Sequence, residues 1–375
     1  MSELKVDKVS PRSGNYVALN TVGSKNIVIN GDMSIAQRGT SVTGLGNGDS
    51  GYHTCDRWKI VEGGTTSAEF TQSQDTDVPT GQGFANSLKM DCTTADASLA
   101  TNNAVYISQI FEGQNLQYIK KGTSSAESLT CSFWVKSSKT GTYVVGLQEF
   151  QNTRYIANSY TIDSADTWEK KTITFAGDTT GTLSNDNSAS LYLQFYLAVG
   201  TDYTSGTLAT DWESTVNANR AVGQVNLADS TSNEWYITGV QLEAGTSASD
   251  FEFLPYDVNL QRCQRYYQVF ADGSQQTLSQ IGTGIQYDAS LMVMSLQFYT
   301  EMRAKPSLDN VSGTNYYRIF RDGGNDYFDD FSIADNTTNK VCDIRNNTDI
   351  SGTAGTAGFV RTENAAAFVA FDAEL

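Results

Sequence analysis

Histidine occurs once in these 375 residues, at position 53. Any Ser-His-Asp or Cys-His catalytic arrangement would have to be built around His53, which sits in the turn-like run Asp49-Ser50-Gly51-Tyr52-His53-Thr54-Cys55. A structural or surface role is the expectation for it. The five cysteines, Cys55, Cys92, Cys131, Cys263 and Cys342, are odd in number and form no C-x-x-C pair. With a single histidine they cannot assemble a soft-ligand zinc site, and they read as reduced, buried small hydrophobes of a chain that folds in a reducing cytosol. Basic residues are also scarce: 25 Lys+Arg face 42 Asp+Glu, a net charge of -17. This argues against a nucleic-acid partner, because phosphate neutralisation needs a basic footprint. Nowhere is there an apolar run of 18 residues, and the opening MSELKVDKVSPRSG has no apolar signal core, so neither membrane insertion nor a secretory leader is expected. No repeat of 20 to 50 residues is evident, which argues against a β-helical shaft.

What the chain does have is glycine and rings. Only 4 Pro but 32 Gly, with abundant Ser, Thr and Asn, describe many short strands joined by polar turns, and helical signal is scarce. The 19 Tyr, 17 Phe and 5 Trp suit half-buried pleated surfaces and surfaces that meet a partner. Strict alternation places Leu129, Cys131, Phe133 and Val135 on one face of a strand, with Thr130, Ser132, Trp134 and Lys136 on the other. Leu191, Leu193, Phe195, Leu197 and Val199 form a second core stripe opposite Tyr192, Gln194 and Tyr196. Ile173 and Phe175 line up inward beyond Trp168. This is the pattern of an antiparallel sandwich with one face of each sheet on the core.

The run from Trp235 to Tyr267, WYITGVQLEAGTSASDFEFLPYDVNLQRCQRYY, reads as a closing strand, a turn, an extended leg and a short amphipathic helix. Pro255 blocks further ladder pairing, and Asp257 or Asn259 is expected to cap the helix. The predicted organisation is an arm over 1–24, a β-sandwich over 25–255, a linker helix over 256–267 and a smaller C-terminal β-domain over 268–375. Strand-like runs at 291–299, 316–320, 341–344 and 368–371 mark that last unit, separated by polar, Gly-rich loops. The arm is too short to fold alone; it either pairs with another chain or frays.

Candidate site residues follow from the faces. Tyr192, Gln194 and Tyr196 on one strand, and Trp134 on another, combine rings for sugar stacking with amides for hydroxyl hydrogen bonds. An outward aromatic stripe serves a subunit interface equally well, and both readings stand. The loop from Gly200 to Trp212, with Tyr203, is a further candidate surface, while Arg262 and Arg265 read as a solvated helix face. Asp322, Asp326 and Asp329, with Asn325 and Asp330, crowd one loop with oxygen donors of the kind calcium accepts; an acidic solvated turn is the competing reading. No cofactor is otherwise expected. A glycosidase needs only two carboxylates, but among 42 acids the pattern singles out no pair.

Four phrases of this sequence carry a family resemblance. They are NIVINGDMSIAQRGT (Asn26 to Thr40) with Cys55-Asp56-Arg57-Trp58; LTCSFWVKSSKTGT (Leu129 to Thr142) with TWEKKTITFAGDTTGT (Thr167 to Thr182); LYLQFYLAVGTDYTSGTLATDW (Leu191 to Trp212); and the Trp235 to Tyr267 run. In order and spacing they resemble the carbohydrate-binding-module-like β-sandwich of tailed-bacteriophage tail fibres and related virion appendages. MetArgAlaLysPro at 302–306 is similar to a phrase of small phage tip domains. The resemblance implies an all-β jelly-roll followed by a linker helix and a tip domain, in a virion protein made in the bacterial host cytoplasm. It does not by itself name a ligand; the leading reading is a homotrimer whose arm contacts other virion proteins and whose β-domains adhere to host-surface polysaccharide without enzymatic activity. Jelly rolls of this kind often hold a structural calcium, but no residue here matches a motif specific enough to place one. A capsid or tail decoration protein without receptor contact and a polysaccharide-degrading tailspike are the alternatives.

Overall fold

The structure is a computed structural model and describes residues 25–375; the expected arm over 1–24 lies outside the described residues. All strand pairs among them are antiparallel. A six-stranded sheet runs in spatial order Ser41–Gly46, Glu69–Asp75, Ser87–Thr94, Glu234–Ala244, Leu129–Ser137, Glu169–Phe175. Against it lies a seven-stranded sheet in the order Glu213–Ser214, Arg154–Ile162, Gly141–Glu149, Ala189–Val199, Ala104–Glu112, Lys59–Gly63, Gly51–Tyr52. Chain neighbours repeatedly cross between the two sheets, giving an all-β jelly-roll sandwich. The alternating stripes meet in its interior: Phe133 of one sheet packs edge-on against Phe195 of the other at 5.1 Å, and Trp58 and Trp235 close around Phe195. Each such ring withdrawn from water contributes about 1.5–3 kcal/mol. All five cysteines are buried and free, and burial pushes their thiols up, Cys92 to about 11 and Cys342 to about 12, so that they are inert hydrophobes.

One stripe departs from strict alternation. A bulge between Tyr196 and Ala198 sends Leu197 and Ala198 to the sandwich interior, and Val199, expected inward, turns to the opposite face beside Ala104 and Ala221.

A single α-helix, Tyr256–Gln264, follows the sandwich. It stops before the expected 267 because Tyr267 opens the next strand, Tyr267–Asp272. Pro255 stands at its N-cap without a side-chain cap, so neither Asp257 nor Asn259 caps it. Asn259 is instead buried and fastens the chain entry: its side chain accepts from Asn30 N and donates to Asp32 Oδ1 and Ser34 Oγ. Beyond the helix a three-stranded sheet (Tyr267–Asp272, Phe368–Asp372, Ser307–Val311) meets a seven-stranded sheet. Its order is Gly324–Phe328, Tyr317–Arg321, Ala357–Thr362, Gln280–Gln286, Met292–Gln297, Val341–Asn346, Ser332–Ile333. Met292, Met294, Phe328, Ile344, Val360 and Phe371 belong to a core of their own, separate from the sandwich interior.

The short phrases of the sequence build the seam between these two bodies. Asn30 ties the entering chain, bonding Ile35 through both its amide and its carbonyl oxygen and donating to Asp56 O. Gly31 runs against the last sandwich strand, where a Cβ would lie 2.1 Å from the Val240 carbonyl oxygen. Gly31→Ala is therefore expected to lose about 1–3 kcal/mol of unfolding free energy in a denaturant titration, through backbone displacement alone. Gln37 bridges Asp56 and the Tyr267 carbonyl. Arg38 stacks 3.6 Å over Tyr267 and pairs with Asp372 at 2.9 Å; Arg57 stacks 3.5 Å over Tyr266 and pairs with Glu374. Arg265, expected on a solvated face, pairs with buried Glu112 at 2.7 Å. In the 302–306 phrase, Met302 is fully buried and Arg303 bonds Ala373 O, Glu374 O and Asn187 O.

Candidate functional site: the outward faces of the sandwich

The outward face of the sandwich's seven-stranded sheet is a covered surface. Gln194 and Tyr196, expected to be open to a sugar or a subunit, point away from the core as alternation requires, yet both have no accessible surface. Residues 200–225 fold back over them, stitched down by Ala157 N to Ala209 O (2.7 Å), Val225 N to Thr142 O (2.9 Å) and Val144 N to Gln224 Oε1 (2.8 Å). Beneath that cover lies Arg220. Its Nε donates to Tyr196 OH (3.0 Å) and its Nη2 to Gln148 Oε1 (2.9 Å) and Gln194 Oε1 (3.2 Å). Tyr155 OH bridges Tyr196 OH and Arg220 O. Burial raises the tyrosine hydroxyls in this network, Tyr106 to about 12, so they remain neutral donors. Tyr192 is half-buried, its ring 4.3 Å from Phe150. The expected sugar-facing trio is thus corrected: one half-open ring and two members of a sealed network. The covering loop is far away in sequence, which is why alternation alone reports only the direction of a side chain.

The six-stranded sheet presents a different outward face. Trp134 lies there, half-buried, between Lys170 and Thr238 in register. Trp168 sits just before Glu169, which pairs with Val135, so its indole falls on the same face, with the Lys136 ammonium 5.7 Å from its ring. The ring of Tyr236 meets Trp168 edge-on at 6.2 Å. Around the rings is a set of fixed polar groups. Trp168 Nε1 donates to Asp77 Oδ1 (2.9 Å) and Lys136 pairs with the same carboxylate. Glu234 accepts from Lys89 (2.7 Å) and from Tyr236 OH (2.7 Å). Burial works to raise the Asp77 carboxyl, but the bonds from Lys136 and Trp168 outweigh it and hold it below the ordinary carboxylate range. A half-open Trp168 indole with a carboxylate and an ammonium at its rim, and a second half-open indole, Trp134, on the same face, form a surface suited to a polyhydroxylated ring. Trp168 and Tyr236 do not stand out as site residues in the sequence, although the register of the Trp134 strand with the one that follows Trp168 carries that information.

The acidic loop does not gather into a cation site. Asp326 pairs with Arg321 at 2.7 Å, Asp329 accepts from Asn315 N at 2.8 Å, and Asp322 occupies the hairpin turn with φ of 50°. Among the described residues no three His, Cys, Asp or Glu side chains converge for a metal. The calcium reading of Asp322, Asp326 and Asp329 is therefore withdrawn: hairpin pairing of Tyr317–Arg321 with Gly324–Phe328 hands Asp326 to an arginine. His53 is half-buried beside a 520 Å³ cleft at the seam, where Arg38, Tyr52, Tyr267 and Asp309 also line the walls; burial lowers its pKa and keeps it neutral.

No family model matches the chain, and no curated protein matches it. Among solved structures it is similar to the enzymatically active domain of tailspike protein 4 of bacteriophage CBA120, with 14% identity and a TM-score of 0.31 over 59% of this chain and 21% of that one. It is similar to a putative sugar-binding protein of Bacteroides thetaiotaomicron, with 12% identity and a TM-score of 0.33 over 58% of this chain and 99% of that one. A family 30 carbohydrate-binding module aligns with 10% identity and a TM-score of 0.28 over 62% of this chain and 93% of that one. At such scores none of these likenesses says what the chain binds.

Proposed function

We propose that this protein is a non-enzymatic appendage of a tailed-phage particle, a tail fibre or similar surface protein, that adheres to host-surface glycans through the outward face of its six-stranded sheet. The observation that carries the glycan reading is the half-open Trp168 indole, held by Asp77 with Lys136 at its ring and Tyr236 and Glu234 beside it, together with the half-open Trp134 on the same sheet face. The virion setting is supported by the four sequence phrases and their spacing. Adhesion of this type is weak at each site and gains strength by repetition, so a homotrimer belongs to the same reading. The outward face of the C-terminal seven-stranded sheet suits such a contact: Phe320 and Phe359 pair across strands there and are 42% and 51% exposed, with Ile285 also open.

On an array of bacterial surface polysaccharides, the protein is expected to retain a defined subset of glycans and Trp134→Ala/Trp168→Ala to retain none of them. Incubation with the retained glycans should release no reducing ends. Retention unaffected by the double substitution removes the indole face as the binding surface, and reducing-end release removes the non-enzymatic assignment. Sedimentation equilibrium should give three times the chain mass, and Phe320→Ser/Phe359→Ser should give one.

A further inference from the structure

A cleft of 510 Å³ opens in the C-terminal body, between the strand Tyr267–Asp272, the turn that follows it and the strands Gln280–Gln286 and Ala357–Thr362. Its size falls within the range of about 300–1,000 Å³ that small ligands occupy. The walls are reachable from solvent: Gln275, Gln276 and Gln280 are exposed and Arg361 is half-buried. One edge of the Arg361 guanidinium is anchored. Its Nε donates to Gln280 Oε1 (3.1 Å), and Gln280 Nε2 donates in turn to Gly282 O (2.7 Å), which ties the group to the backbone of the neighbouring strand. Among the described residues its two terminal nitrogens have no hydrogen-bond or carboxylate partner, while Arg318, beside it in register, is satisfied by Glu363 at 3.1 Å. The opposite wall is the turn. Leu278 holds a φ of 69° there, a left-handed conformation unfavourable for a residue with a Cβ. Ser279 N donating to Thr362 Oγ1 (2.9 Å), Thr362 N to Ser279 O (3.0 Å) and Ser279 Oγ to Gln276 O (2.8 Å) keep the turn in that shape. None of those bonds uses the Gln275 and Gln276 side-chain amides. The floor is apolar, made by Val269 and by Phe270, the extra residue of a bulge, whose ring stacks on Tyr299 at 4.9 Å. The ionisable groups of the lining are Arg361 and Asp272, one of each sign, and Asp272 already accepts from Ser274 N and Oγ. Donors and acceptors thus stand together over an apolar floor with no excess of either charge. Hydroxyl groups, each able to donate one bond and accept two, match that inventory; an anion or an ammonium does not.

We propose that this cleft binds an uncharged sugar residue, with neighbouring hydroxyls accepting from the free edge of Arg361 and exchanging hydrogen bonds with the Gln275 and Gln276 amides above Val269 and Phe270. Phe359, assigned above to a subunit contact, is not part of the lining. The inference rests on the glycan-adhesion reading and adds a second contact on the other body. The cleft and the indole face share no residue, so each can fail alone.

The test is saturation-transfer NMR of the full chain, with methyl glucoside, methyl galactoside and methyl mannoside as neutral probes and glucuronate and glucosamine as charged ones. It is made in the parent and in Trp134→Ala/Trp168→Ala, which removes the indole face. The readout is the component of the signal that the further change Gln275→Ala/Gln276→Ala weakens. At least one neutral glycoside is expected to show that component in both backgrounds, with a Kd about tenfold higher once the two amides are gone. It should persist between about 0.1 and 1 M salt, where the screening length falls from about 10 to 3 Å. Arg361→Gln should remove the same component. Its absence for all three glycosides, or a larger component for glucuronate or glucosamine that fades with salt, would overturn the assignment. Both glutamines are exposed on a turn, so the result stands even if Arg361→Gln fails to fold. A component that survives loss of the indoles is independent of whether the indole face binds.

Discussion

Glu112→Ala is expected to remove about 3 kcal/mol of stability and to loosen the seam between the sandwich and the C-terminal body. The Glu112 carboxylate has no accessible surface and accepts four hydrogen bonds: from Arg265 Nε (2.8 Å) and Nη2 (2.7 Å), from Tyr266 OH (2.5 Å) and from Gln114 Nε2 (2.6 Å). Truncation leaves the Tyr266 hydroxyl buried and unpaired, at a cost of about 1–3 kcal/mol, and strips the Arg265 guanidinium of its partner. The total falls at the lower end of the range for broken buried pairs because the Arg265 side chain is 30% exposed and water can reach it. The pH dependence has a definite sign. Burial works to raise the Glu112 carboxyl, but the bonds from Arg265 and Tyr266 outweigh it and hold it below the ordinary glutamate value. A carboxyl whose folded value is depressed contributes stability that is fully present above the unfolded value, about 4.3, and that is lost as pH falls through the folded value. Parent and Glu112→Ala should therefore differ most near neutrality and converge in acid. Urea unfolding followed at pH 7 and pH 3 checks this; a gap that widens in acid would contradict the assignment.

The second large effect belongs to Lys121. Its ammonium lies between two carboxylates, Glu149 at 3.4 Å and Asp178 at 3.1 Å, and also donates to Thr180 O and Gly181 O at 2.8 Å each. The side chains of Lys121, Glu149 and Asp178 are 4%, 0% and 2% exposed. Lys121→Met keeps most of the aliphatic stem and removes the charge, leaving the Glu149 carboxylate, among the described residues, with the backbone amide of Asn152 alone. Asp178 is better protected, since Arg154 holds it through two bonds of 3.0 and 3.1 Å. A loss of about 3–5 kcal/mol follows from the uncompensated buried charge. The measurement is clean because all five tryptophans, Trp58, Trp134, Trp168, Trp212 and Trp235, precede the helix, so indole fluorescence follows the sandwich alone. A fluorescence midpoint unchanged by Lys121→Met would show that the carboxylates do not depend on it. The double replacement Lys121→Met/Glu149→Gln should recover part of the loss, because it removes the orphaned charge together with its partner.

Much of the sandwich is legible in the chain because alternation is a local signal. The Leu129–Ser137 strand reads directly from its period of two, and Phe133 and Phe195 meet where their stripes place them. Three kinds of information are not local. A bulge adds one residue and turns Val199 over, and nothing in the apolar run around it announces the extra residue. The face that carries Tyr192, Gln194 and Tyr196 is outward by pattern, but its exposure depends on a loop whose seating residues, Ala209 and Val225, meet strands more than fifty residues earlier in the chain. Finally, a carboxylate is available to a metal only if no arginine claims it, and Asp326 is claimed by a hairpin partner. The phrases around Asn30, Gln37 and Asp56 are conspicuous as words, yet their physical role, fastening chain entry, helix and C-terminal body at one seam, emerges only from the geometry. Arg220 leaves no pattern at all: a lone cation in a polar loop becomes notable only when its surroundings prove to be neutral and closed.

Sugar stacking on Trp134 and Trp168 is the central claim, and the affinity for a retained surface polysaccharide tests it most directly. Calorimetric titration should give at least a tenfold rise in Kd, about 1.4 kcal/mol, for each of Trp134→Ala and Trp168→Ala, with the unfolding midpoint of the C-terminal body unchanged. A Kd within a factor of two of the parent for both variants would contradict it.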